Sequence, residues 1–364
     1  MKHILILILP LLLAACANKN AIETKAGLLK TLNSAAENSE IYYGHQDDLF
    51  YGHSWKYENG RSDTKEVCDA YPAVLGVDFG KIEYGQDSSL DNVKFDFMRE
   101  KIVEHAERGG LITASWHVDN PLTNGNSWDV SQKNVVTEIL TEGSQTNIVF
   151  MKYLQNLSDF LLTLKYKNGT KIPIIFRPWH ENTGSWFWWG KDLCSSEEYI
   201  SLWKKTKQYF DNQGFDNLVY CYSPNLGTDK EDYLARYAGD DFVDLLGFDA
   251  YQFPQKNENG EIVDLASEIY IENVKNALSF LTEIGKEHNR PIAFTETGCE
   301  GIPDPKWWTE TLLPAIDGFP ISYVLTWRNA CDRPEHYYST FAGEQSANDF
   351  VSFFNNKKIK FLKQ

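Results

Sequence analysis

The chain has 364 residues, 35 Lys+Arg against 51 Asp+Glu for a formal net charge of −16, and 14% aromatic side chains including 11 Trp. That charge excludes nucleic acid and anionic membrane surfaces as natural partners and fits a neutral ligand. The length suits one barrel domain with loop insertions around a large core.

Lys2 and His3 precede an unbroken apolar run, Ile4 to Leu13, which is too short to span a bilayer as a helix but suits the central region of a signal peptide. Leu13-Ala14-Ala15-Cys16 resembles the bacterial lipobox, in which the cysteine becomes the lipidated first residue of the mature protein. Residues 1–15 are thus expected to be removed, 16–31 to form a lipidated polar tether, and 32–364 to fold as a single domain. The lipid on Cys16 would be the only membrane attachment. Cys16 is followed by Ala17-Asn18-Lys19-Asn20 with no acidic stretch, which favours a periplasm-facing anchor over the cell surface.

Eight apolar runs follow in order: Ile41–His45, Val74–Gly80, Leu111–His117, Ile172–Glu181, Leu218–Ser223, Val243–Tyr251, Pro291–Gly298 and Ile321–Arg328. Helical patterns separate them. Phe95, Met98, Ile102 and Ala106 recur at helical spacing and stop at Gly109-Gly110, and Ile148, Met151, Leu154, Leu157, Leu161 and Leu164 do so before Asn168-Gly169. Ser195 with Glu198 has the capping-box spacing ahead of Tyr199, Leu202, Trp203 and Phe210, and Ile269 to Ile284 carries a further stripe. Eight strand–helix alternations predict an α/β fold closed into a (β/α)8 barrel. An open doubly wound sheet is the alternative, but no G-x-G-x-x-G or phosphate-binding loop follows the early strands. Asn124–Ser131 and Gln255–Glu261 read as long loops.

After Cys16, an odd number of cysteines remains (Cys68, Cys194, Cys221, Cys299, Cys331), with no C-x-x-C spacing and no paired histidines to suggest zinc. At least one of them is expected to be a free thiol, and one or two disulfides are permitted outside the cytoplasm that the sequence does not assign. No metal or cofactor is expected, and the protein is expected to be a monomer.

The most informative segment is Phe176–Gly190, FRPWHENTGSWFWWG, placing Arg177, His180 and Glu181 at the end of the fourth strand directly ahead of an aromatic run. Barrel enzymes build their sites from strand ends, so Asp78, Trp116, His117, His180, Glu181, Tyr251, Glu296, Trp327 and Arg328 are expected to converge on one cleft. Glu181 and Glu296 are the carboxylates hardest to dismiss as packing. Facing each other they would suit acetal hydrolysis, in which a protonated acid serves the leaving oxygen and an ionised carboxylate attacks carbon or activates water. Desolvation by Trp186, Phe187 and Trp188 should raise Glu181 towards the acid role, while Tyr251 and Arg177 should hold Glu296 ionised. Strand parity predicts that Arg177 and Glu181 both face inward. Trp186, Trp188 and Trp189 are expected to stack on sugar faces.

FRPWHENTGSWFWWG with AFTETG downstream resembles glycoside hydrolase family 26 over essentially the whole mature chain. The resemblance implies a (β/α)8 enzyme with a retaining mechanism, Glu181 as acid/base and Glu296 as nucleophile. It further implies that His117, His180, Trp186, Tyr251 and Trp327 contact or orient the substrate, with Trp116 and Arg177 beside them. The usual substrate would be β-1,4-mannan and its galactomannan or glucomannan forms. Mixed-linkage β-glucan, β-xylan and a silent glycan-binding lipoprotein are the alternatives.

Overall fold

The computed structural model describes residues 22–227 and 229–363. Cys16, the expected signal peptide and the first part of the expected tether therefore lie outside the described residues. Eight parallel strands close on themselves: β1 (Ile41–Gln46), β2 (Val74–Asp78), β3 (Leu111–Ser115), β4 (Ile174–Arg177), β5 (Leu218–Tyr222), β6 (Leu245–Gln252), β7 (Ile292–Cys299) and β8 (Ile321–Thr326). Closure is made by β1, which pairs with β2 through Gly44 and Val74 and with β8 through Tyr42 and Tyr323. β2, β3, β4, β5, β7 and β8 are buried at every position, as parallel strands covered by helices must be.

The helices expected from sequence are present: α2 (Phe95–Glu107), α3 (Gln145–Leu161), α4 (Ser196–Asn212) and α5 (Ser267–Glu287), preceded by α1 (Lys25–Glu37). The Ser195 capping box forms with both of its hydrogen bonds. The Gln255–Glu261 loop is more ordered than its composition suggests, for its ends pair as a short hairpin, Gln255–Lys256 with Ile262–Asp264.

Residues 25–31, expected to belong to the tether, are helical. Thr24 accepts a hydrogen bond from the Gly27 amide at 2.9 Å and starts α1 at Lys25, well before Thr31. α1 buries Leu28 and Leu32 in a cluster with Val74, Leu111, Ile175, Val219, Leu245 and Ala293, side chains from the starts and interiors of the strands. Lys25 is also ion-paired with Asp244 at 2.7 Å. α1 is therefore the plug of the barrel's N-terminal mouth and part of the folded domain. Cys68, Cys194, Cys221, Cys299 and Cys331 are all free thiols.

Candidate active site

The opposite mouth is polar. Arg177 is the last residue of β4 and is 1% exposed; its Nη1 donates to Asp249 at 2.9 Å and its Nη2 to Glu296. Glu296 on β7 accepts a second hydrogen bond from the Tyr251 hydroxyl at 2.9 Å. A register shift in β7 between Phe294 and Glu296, opposite Phe248 and Asp249 of β6, makes Thr295 an extra residue. Such a bulge re-aims the side chain that follows it, here Glu296. Thr295 Oγ1 donates to Asp249 at 2.6 Å, so the bulge is itself bonded into the site.

Glu181 reaches the cleft by a different route from the one strand parity predicts. β4 ends at Arg177, and Trp179 and Glu181 lie in the left-handed region at φ +57 and +52. Non-glycine residues held there are strained unless the surroundings fix them. The fixing bonds are evident: the Glu181 amide donates to Ser223 O at 2.8 Å, Tyr199 donates to Trp179 O at 2.8 Å, and the Trp189 indole donates to His180 O at 2.9 Å.

Carboxylate oxygens of Glu181, Asp249 and Glu296 lie within 4.8 Å of one another. Burial pushes the Glu181 carboxyl up to about 7, with the negative charge of Glu296 adding to the rise and the Trp186 indole, which donates to Oε2 at 2.8 Å, opposing it. Burial raises Asp249 well above the carboxylate range despite Arg177. Burial opposes charge on His117, but Asp78 at 2.6 Å from its Nδ1 outweighs that and raises its affinity for the proton. His180, buried against His117 and Arg177, is held well below the usual histidine range and is neutral.

The residues singled out from sequence divide in two. Glu181, Trp186, Tyr251 and Trp327 line a cavity of about 560 Å³, and His117 and Trp327 line an adjoining one of about 310 Å³ with Asp78 and Trp128. Trp186 is 42% exposed and free to meet a ligand. Trp188 and Trp189 are fully buried, against the expectation that they stack on sugars. Their indoles instead donate to Val118 O and His180 O, so they brace the loop that carries Glu181. Trp116 is likewise fully buried, donating to Glu83 and packing on Trp179, and Arg177 lies beneath Glu296; neither lines the cleft. His180, 1% exposed, is a wall behind His117.

Sequence reasoning missed Asp249, Trp128 and Tyr338. Asp249 carried a signal, being a carboxylate two residues before Tyr251 in an otherwise apolar strand. Trp128, stacked on His117 with ring centroids 5.4 Å apart, lay in a loop with no periodicity to place it.

A closed parallel barrel with paired carboxylates, one on the turn after its fourth strand and one on its seventh, beside exposed aromatics, defines a sugar-hydrolase site. The chain belongs to glycosyl hydrolase family 26, whose model matches residues 17–294. A β-mannanase structure of this family from Bacteroides ovatus superposes with a TM-score of 0.88 at 48% identity, over 93% of this chain and 95% of that one. A mannan endo-1,4-β-mannosidase of Bifidobacterium adolescentis is 31% identical over 92% of this chain, which spans only 34% of that protein. One from Bacillus subtilis is 29% identical over 85% of this chain and 81% of its own length.

Proposed function

We propose that this protein is a retaining endo-β-1,4-mannanase in which Glu181 is the acid/base and Glu296 the nucleophile. The observation that carries the reading is the approach of their carboxylate oxygens to within 4.8 Å. So close an approach of one oxygen from each suits the carboxyl separation of about 5–5.5 Å in retaining enzymes, in which the second carboxylate attacks carbon directly.

The chemistry runs in two displacements. Glu296, held by Arg177 and Tyr251, attacks the anomeric carbon while Glu181, protonated below about 7, gives its proton to the departing glycosidic oxygen. A covalent glycosyl ester on Glu296 results. Glu181, now a carboxylate, takes a proton from water, which attacks the same carbon and releases Glu296 with the β-anomer retained. Arg177 and Asp249 act as positioning residues. Trp186 and Trp327 offer the apolar faces on which sugar rings stack. The mannan assignment is supported by the named relatives, and no step requires a metal or cofactor.

An NMR time course on mannohexaose should show the β-anomer first, and an activated fluoroglycoside should label Glu296. An α-configured first product would overturn the nucleophile assignment. Digestion of galactomannan, glucomannan, barley β-glucan and xylan side by side tests the substrate, with activity confined to the last two sinking the mannan reading.

The N-terminal sequence supports lipidation at Cys16 and a periplasm-facing anchor, where the enzyme would trim imported oligosaccharides as a monomer. Metabolic labelling with palmitate should mark the parent chain and not Cys16→Ser. Labelled parent protein accessible to protease on intact cells would place it on the outer surface instead.

A further inference from the structure

Tyr251 donates to Glu296, and its ring meets that of Tyr338 edge to face, with centroids 5.6 Å apart and planes at 74°. Such a pair favours one mutual orientation of the two rings. Tyr338 comes from the loop after β8 and sits directly against the backbone of β7. A Cβ on Gly298 would stand 2.7 Å from its Cδ1 and 2.9 Å from its Cβ. Gly298 is two residues beyond Glu296, so only a residue without a side chain lets the Tyr338 ring come this close to the strand that carries Glu296.

Asn329, buried two residues beyond Trp327, fixes the loop that brings Tyr338 there. Its Oδ1 accepts from the amides of Tyr338 at 3.1 Å and Ser339 at 2.9 Å, which draws the two ends of the loop together. Its Nδ2 donates to Asp63 Oδ2 at 2.9 Å. Asp63, also buried, opens the short helix Asp63–Cys68 and accepts two more hydrogen bonds, from the His53 amide at 2.7 Å and the Trp55 indole at 2.6 Å. These donors belong to the hairpin after β1, where Tyr51–Gly52 pairs with Trp55–Lys56. The hairpin wraps the carboxylate closely, for a Cβ on Gly52 would lie 2.3 Å from Asp63 Oδ2. The His53 ring stacks on Phe341 at 3.6 Å and ties the same two loops together a second time. A buried network with its donors and acceptors paired in this way is costly to open and holds one geometry.

We propose that Asp63 and Asn329 are positioning residues for the reaction: through Tyr338 they set the Tyr251 ring at the angle from which its hydroxyl reaches Glu296. This rests on the reading of Glu296 as the nucleophile. Asp63 and Asn329 line neither the cavity at Glu181 nor the one at His117, so they act on the sugar only through the rings they hold. A misplaced Tyr251 withdraws a hydrogen bond from the attacking carboxylate. The cost should therefore fall on the rate of attack and not on ligand binding.

The test follows the first displacement alone, as the rate at which an activated fluoroglycoside, whose leaving group needs no proton from Glu181, labels Glu296. The variants are Tyr338→Ala, which removes no buried polar group, and Asn329→Ser, which leaves a hydroxyl and room for a water beside Asp63. Each should slow labelling by about three- to tenfold at an unchanged half-saturating concentration, in protein whose circular dichroism matches the parent. In a Tyr251→Phe background neither should slow labelling further, because the hydroxyl they position is gone. Losses that multiply in that background, a change confined to the half-saturating concentration, or parental labelling by either variant would overturn the inference. Each of those results still labels Glu296 and leaves the retaining reading intact. A parent protein that takes no label on Glu296 would instead remove that reading and this inference with it.

Discussion

The two mouths of the barrel use the same strands for opposite ends. At the N-terminal mouth Leu28 and Leu32 of α1 close on Val74, Leu111, Ile175, Val219 and Leu245 in an apolar cluster. At the C-terminal mouth Arg177, Asp249, Glu296 and His180 are as deeply buried but are charged or polar. Burying such groups costs several kcal/mol each unless they bond to one another, and the Arg177 bonds to Asp249 and Glu296 are that compensation. The barrel is thus closed by apolar packing at one end and supports an electrostatically demanding site at the other.

The largest expected break is at the polar mouth. Glu296→Ala should abolish turnover while oligosaccharide binding, read by calorimetry, persists; measurable hydrolysis by this variant would show that another group attacks carbon. Glu181→Ala should slow polysaccharide hydrolysis by about 10²–10⁴-fold but spare an activated aryl glycoside, whose leaving group needs no proton, and azide should restore turnover by replacing water. Equal losses on both substrates with no azide effect would remove the acid/base assignment.

The pH profile sharpens the same contrast. Glu181 must carry a proton in the first displacement and is raised to about 7, so kcat/KM on mannan should be present below that value and fall as pH rises through it. The alkaline limb should vanish for Glu181→Ala acting on the activated glycoside. A limb that survives the substitution belongs to another group.

At the apolar mouth, Leu32→Ala should cost about 2–5 kcal/mol of stability and leave kcat/KM unchanged where the protein stays folded. A changed kcat/KM with a normal melting curve would mean that the two mouths are coupled. The smallest effect concerns Trp186. Trp186→Ala should lower kcat/KM on mannooligosaccharides by about two- to tenfold, with the fold intact. Gly184→Ala should mimic it, because a Cβ there would lie 2.3 Å from the Trp186 ring and displace the indole from Glu181. If full activity survives both changes, Trp186 is not a sugar platform.

By itself the sequence determined the alternation of strands and helices, the barrel and the two carboxylates, because these depend on local periodicity and on residue types seldom buried alone. The eight runs Ile41–His45 to Ile321–Arg328 each contain a barrel strand or overlap one in the structure. It also held the pairing of Tyr251 with Glu296, since both stand at the ends of apolar runs. Tertiary structure decided which member of each aromatic run meets a ligand. Trp186 and Trp188 are two residues apart and chemically identical, yet Trp186 is 42% exposed and bonded to Glu181 while Trp188 is fully buried and bonded to Val118 O. It decided as well that Glu181 enters the cleft from a turn and Glu296 from a bulge, and that Leu28 belongs to the fold and not to the tether. Those outcomes depend on contacts between residues far apart in the chain, such as Glu181 with Ser223 and Leu28 with the barrel interior, which no local pattern encodes.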